Sequence, residues 1–105
     1  MTRADIDETR KNLEKYVKSF AFCSLEMKKF LPRLPSMTPQ TYSTILKPDL
    51  DKIIFQLSNL LMDREIEETL IVKKYLRKEY DAYLTARREA AELRGKIEAA
   101  ISKIK

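Results

Sequence analysis

Few side chains in this chain could carry out chemistry, and their types and spacing restrict what that chemistry would be. Two carboxylate pairs, Asp49/Asp51 and Glu65/Glu68, stand close enough in sequence to divide acid and base roles. Such work needs a dry pocket that moves one pKa away from the other. Neither pair is embedded in a pattern that predicts a pocket, and both suit the first turn or the solvated face of a helix. Cys23 falls on an apolar stripe, where a thiol is expected to be an inert core group rather than a nucleophile. The sequence contains no His, one Cys and one Gly, at position 95. Ser-His-Asp and Cys-His catalysis, His-ligated metals, an internal disulfide and glycine-rich phosphate loops are thereby excluded. The expectation is a non-catalytic protein without a cofactor or bound metal.

The basic pairs Lys73-Lys74, Arg77-Lys78 and Arg87-Arg88 have Tyr75, Tyr80 and Tyr83 among them. Phosphate-neutralising charge beside stacking rings is what a nucleic-acid interface requires. Glu79, Asp81, Glu89 and Glu92 dilute that charge, however, and Tyr80 and Tyr83 fall on an apolar seam. A basic helical nucleic-acid-binding module is therefore the alternative reading rather than the first. Charge is uneven along the chain: residues 1–35 carry +3, residues 36–70 carry −3 and residues 71–105 carry +5.

The elements that must position these groups are helical. With one Gly and four Pro among 105 residues, and 35 % charged residues, the chain is poor in turn formers. A first helix is expected from about Asp5 to Leu31, with apolar positions at Leu13, Tyr16/Val17, Phe20, Cys23, Met27, Phe30/Leu31 and Leu34. Phe22 and Leu25 lie off this stripe, so the apolar surface is wider than a two-helix seam requires. Pro32 and Pro35 end the helix. Thr38-Pro39 then reads as an N-cap followed by a first helical residue.

The second helix should bury Tyr42, Ile45/Leu46, Leu50, Ile53/Ile54, Leu57 and Leu60/Leu61, with a kink at Pro48. Phe20, Phe22, Met27, Phe30, Tyr42 and Phe55 read together as helix–helix core, some of them facing a partner. A break is expected near Met62–Glu65, and a third helix from Ile66 to the end. In that helix Leu76, Tyr83, Ala90, Ile97 and Ile104 recur every seven residues, with Tyr80 and Ile101 at the complementary position and Arg87 and Arg94 interrupting it. A first helix of roughly 40 Å and a third of roughly 58 Å would leave much of the third without a partner inside the chain. Its seam would then face water unless a second chain covered it. The longest strongly apolar run, Ile53 to Met62, falls well short of the roughly 20 residues that span a bilayer. Together with the charged start of the chain, this predicts a soluble, intracellular protein.

The segment from Lys29 to Tyr42 (KFLPRLPSMTPQTY), followed by Ile45-Leu46 and Ile53, resembles the polyamine-modulated-factor (Nnf-type) subunit of the kinetochore MIND complex. In that family a long first helix ends in a short apolar segment and a Met-Thr-type start opens the second helix. A later acidic–x–x–aliphatic–Glu–x–x–Leu stretch corresponds here to Asp63 through Leu70. The resemblance covers roughly residues 13 to 76. It implies a nuclear, centromeric protein that links chromatin to the microtubule-binding outer kinetochore in chromosome segregation. It also implies a head, half of a four-helix bundle completed by another MIND subunit, that receives a segment of centromere protein C.

The combined reading is an all-α chain, with a helical hairpin head over residues 1–61 and a coiled-coil helix over 62–105. The head interface is expected at Phe20, Met27, Phe30, Tyr42, Ile53, Leu57, Leu60 and Leu61. The coiled-coil interface is expected at Leu76, Tyr80, Tyr83, Ala90, Ile97, Ile101 and Ile104, and a basic-peptide contact at Asp63, Glu65, Glu67 and Glu68. Partners are protein, with no small molecule, no membrane and no direct nucleic acid. A self-sufficient helical adaptor is the remaining alternative.

Overall fold

A computed structural model describes residues 2–62 and 70–104. Among these residues the chain is all-α, a rod of 56 × 18 × 18 Å. Helix α1 spans Arg3–Phe30 and begins in a capping box. The Thr2 hydroxyl accepts from the Asp5 amide at 3.3 Å, and the Asp5 carboxylate accepts from the Thr2 amide at 3.2 Å. These two bonds satisfy donors that a helix start leaves free, and they hold the Asp5 carboxyl below its ordinary pKa. Lys28 and Lys29 in the last turn complement the helix dipole.

Pro32 and Pro35 stop α1 but not the helical course, which tightens into a 3₁₀ segment over Leu31–Ser36. Met37 and Thr38 are the two non-helical residues before the chain turns back. Thr38 caps the return as expected, its hydroxyl accepting from the Thr41 amide at 3.1 Å. Helix α2, Pro39–Thr41, runs into a π-helical turn over Tyr42–Leu46 and then into α3, Lys47–Met62.

Pro48 explains that wider turn. It has no N–H to give and its ring crowds the Thr44 carbonyl. The chain responds by passing the Lys47 amide back five residues to the Tyr42 carbonyl. The helix therefore continues through Pro48, with one residue absorbed by the wider turn. Leu46, Leu50 and Leu57 reach the core, whereas Ile45 turns out to 58 % exposure.

The third helix departs from expectation by being two pieces, α4 (Leu70–Tyr75) and α5 (Arg77–Ser102). Leu76 lies between them with φ −126° and ψ 34°, yet its amide still reaches Val72 and its carbonyl still accepts from Tyr80. The bend leaves both Val72 and Leu76 buried. Glu79 on α5 meets Arg10 near the start of α1, and Glu89 meets Lys28 near its end, so α5 runs parallel to α1. Residues of α3 contact α5 in reverse order, which completes an up-down-up arrangement.

The core is correspondingly single. Leu13, Phe20, Cys23 and Met27 of α1 pack with Leu50 and Leu57 of α3 and with Tyr83, Ala90 and Ile97 of α5. The C-terminal helix expected over 62–105 packs, in its described residues, along α1 of the same chain. A 28-residue α1 matches a 26-residue α5, so α1 covers the seam that the sequence left open. Burying each large apolar side chain stabilises by about 1.5–3 kcal/mol, which favours closure within the chain over exposure.

Candidate partner interface

The two expected interface sets converge on that shared core. Phe20, Met27 and Leu57 from the head set, and Leu76, Tyr83, Ala90 and Ile97 from the coiled-coil set, are 2 % exposed or less. Phe30, Tyr42, Ile53, Leu60, Leu61, Tyr80, Ile101 and Ile104 are partly buried against them. These residues hold the chain's own helices together, and the fully buried ones offer a partner no surface in this conformation. The seam's repeat was legible, and within this chain α1 packs on it.

Tyr83 sits at the centre of an aromatic cluster, its ring centroid 5.9 Å from Phe20, 6.1 Å from Tyr16 and 5.8 Å from Tyr80. The Tyr83 hydroxyl accepts from Arg87 Nη1 at 3.0 Å, so the buried ring keeps its polar tip satisfied. Arg87 and Arg94, which interrupt the seam in sequence, both point across to α3. Arg87 Nη2 donates to the Leu61 carbonyl at 2.9 Å and Arg94 Nη1 to Ser58 Oγ at 3.3 Å. Two long side chains thus bridge a pair of helices that pack less closely on each other than either does on α1. Burial takes Tyr83 off the surface, and Arg87 is engaged by Tyr83 and Leu61. Tyr75 remains half-exposed, with Lys74 Nζ 5.8 Å from its ring centroid.

What faces solvent was less visible in the sequence. Phe22 and Leu25 on α1 are 47 % and 56 % exposed, and Phe55 and Met62 on α3 are 69 % and 77 % exposed. Phe22 and Phe55 therefore lie outside this chain's own core, and of the aromatic and Met set expected as helix–helix core they are the ones on an outer face. The three-residue spacing of Phe22 and Leu25, and the seven-residue spacing of Phe55 and Met62, place each pair on one outer helix face. The signal that identifies them is their offset from the Leu13–Phe20–Met27 and Leu50–Leu57 stripes.

At the end of the rod an open groove of about 360 Å³ runs between the connector and α5, lined by Leu34, Pro35, Met37, Ala100, Lys103 and Ile104. A second groove on the other side of Ile104 is lined by Pro39, Tyr42, Ser43 and Ile101.

Cys23 is a fully buried free thiol, as expected, and burial raises its pKa. Asp51 of the Asp49/Asp51 pair lies on the surface and accepts from Lys47 Nζ at 2.6 Å, which raises the lysine's pKa. Asp63, Glu65, Glu67 and Glu68 lie outside the described residues. Among the described residues, no group of three acidic, Cys or His side chains could hold a metal ion, and no helix is long and apolar enough to cross a membrane. Comparison with protein-family models, with curated proteins and with solved structures finds no match to this chain.

Proposed function

We propose that the chain is a non-catalytic structural subunit of the kinetochore MIND complex, pairing with another subunit to link centromeric chromatin, through centromere protein C, to the outer kinetochore. Support comes from the resemblance at Lys29–Tyr42, and the observation that carries the proposal is where that stretch lies. It forms the end of α1, the connector and the start of the return helix, in the order the family uses them. The outer apolar faces at Phe22/Leu25 and Phe55/Met62 are the surfaces a partner helix would cover. Pairing through the 76–104 seam would instead require α5 to leave α1 and exchange for a partner's helix.

A second reading, a self-contained helical adaptor, is favoured by the complete burial of Leu76, Ala90 and Ile97 within the chain. A tagged pull-down from nuclease-treated dividing-cell extract, washed at about 300 mM salt, separates the readings. Recovery of the other MIND subunits supports the first. Recovery of unrelated proteins, with the isolated chain a monomer that unfolds cooperatively, supports the second. Binding that appears only without nuclease, and weakens by roughly 10³-fold between 50 and 200 mM salt, would return the basic C-terminal third to consideration as a nucleic-acid surface.

A further inference from the structure

Thr38 is the one Ser or Thr in the sequence that is followed directly by proline. It is exposed, with an extended backbone at φ −81° and ψ 157°. That is the conformation a following proline enforces, and the one in which a kinase cleft takes up a peptide. Met37 and Thr38 are the two non-helical residues between Arg3 and Met62. On one side lies 3₁₀ helix to Ser36, on the other a three-residue α turn and then the π turn of Tyr42–Leu46. Both helix types have poorer hydrogen-bond geometry than regular α-helix, so this stretch opens locally at lower cost than α1 or α5. Residues 31–46 contain Arg33 and no Asp or Glu.

We infer that Thr38 is the acceptor for a proline-directed serine/threonine kinase. The Thr38 Oγ1 attacks the γ-phosphorus of ATP on the kinase, and a new O–P bond forms. The bond to the β–γ bridging oxygen breaks, ADP leaves, and the hydroxyl proton passes to the kinase's base. The phosphate oxygens then take over from the hydroxyl in accepting from the Thr41 amide. The inference is independent of which partner the chain assembles with.

The test treats the full-length folded chain with Mg-ATP and a proline-directed kinase, and locates the phosphate by fragment mass spectrometry. Incorporation at Thr38 alone is expected, and it is lost in Thr38→Asn, which keeps the cap, and in Pro39→Ala. Phosphate on other residues, or labelling of a 31–46 peptide but not of the folded chain, would overturn the assignment of the site.

Discussion

Arg87 on α5 donates to the backbone carbonyl of Leu61, one residue before α3 ends, at 2.9 Å. The last carbonyls of a helix have no partner within it, and a cation there also meets the negative end of the helix dipole. One side chain therefore caps α3, holds α3 against α5 and satisfies the hydroxyl of the buried Tyr83.

Arg87→Met keeps the length of the side chain and removes all three roles. It is expected to destabilise by about 1.5–3 kcal/mol, read as a lower urea midpoint with an unchanged m value. Arg94→Met removes a longer bond to Ser58 and a surface ion pair with Glu98 at 3.6 Å, and should cost less, about 1 kcal/mol. Equal effects from the two would contradict the capping role.

Leu57 and Phe55 are two residues apart on α3, one fully buried and the other 69 % exposed. Leu57→Asp places an unpaired charge in the core and should cost at least about 3 kcal/mol, enough to abolish cooperative melting in circular dichroism. Phe55→Asp should change stability by no more than about 0.5–1 kcal/mol. If the proposed assembly forms through the outer face of α3, Phe55→Asp should also reduce partner recovery while leaving the melt intact.

Burial raises the Cys23 thiol above its ordinary pKa of 9.0, because the folded core disfavours the thiolate. Below about pH 9 the thiol is neutral in both folded and unfolded chains, and its full contribution to stability is present. As pH rises through that value the unfolded chain ionises first, and the contribution is lost. The urea midpoint should therefore fall from about pH 9 upward, and fall less in Cys23→Ala. In the folded chain at neutral pH, a thiol reagent should label Cys23 only as fast as the core opens.

Gly95 lies on the exposed side of α5, and a Cβ added there would have no neighbour within 4 Å. Glycine in the interior of a helix costs backbone entropy that alanine does not. Gly95→Ala should raise stability by about 0.5–1 kcal/mol, visible as a higher Tm. A loss of stability would show that the outer face of α5 is covered in solution.

Much of this architecture can be read from residue order because it follows from local chemistry. The Thr38-Pro39 start, the end of α1 before Pro32 and the Leu13–Phe20–Met27 stripe each depend on a few neighbouring residues. The seven-residue seam of Leu76, Tyr83, Ala90 and Ile97 is equally local, since the helical repeat alone lines those side chains up. What covers the seam is not local. It depended on α1 presenting one face broad enough for both α3 and α5, and on the bend at Leu76 that lays α5 along it. The same holds for Arg87 and Arg94, which read as defects in an apolar repeat until the path of α3 supplies Leu61 and Ser58 as acceptors. Phe22 and Phe55 show the converse: an aromatic side chain is apolar wherever it occurs, and only the packed orientation of its helix decides whether it meets the core or water.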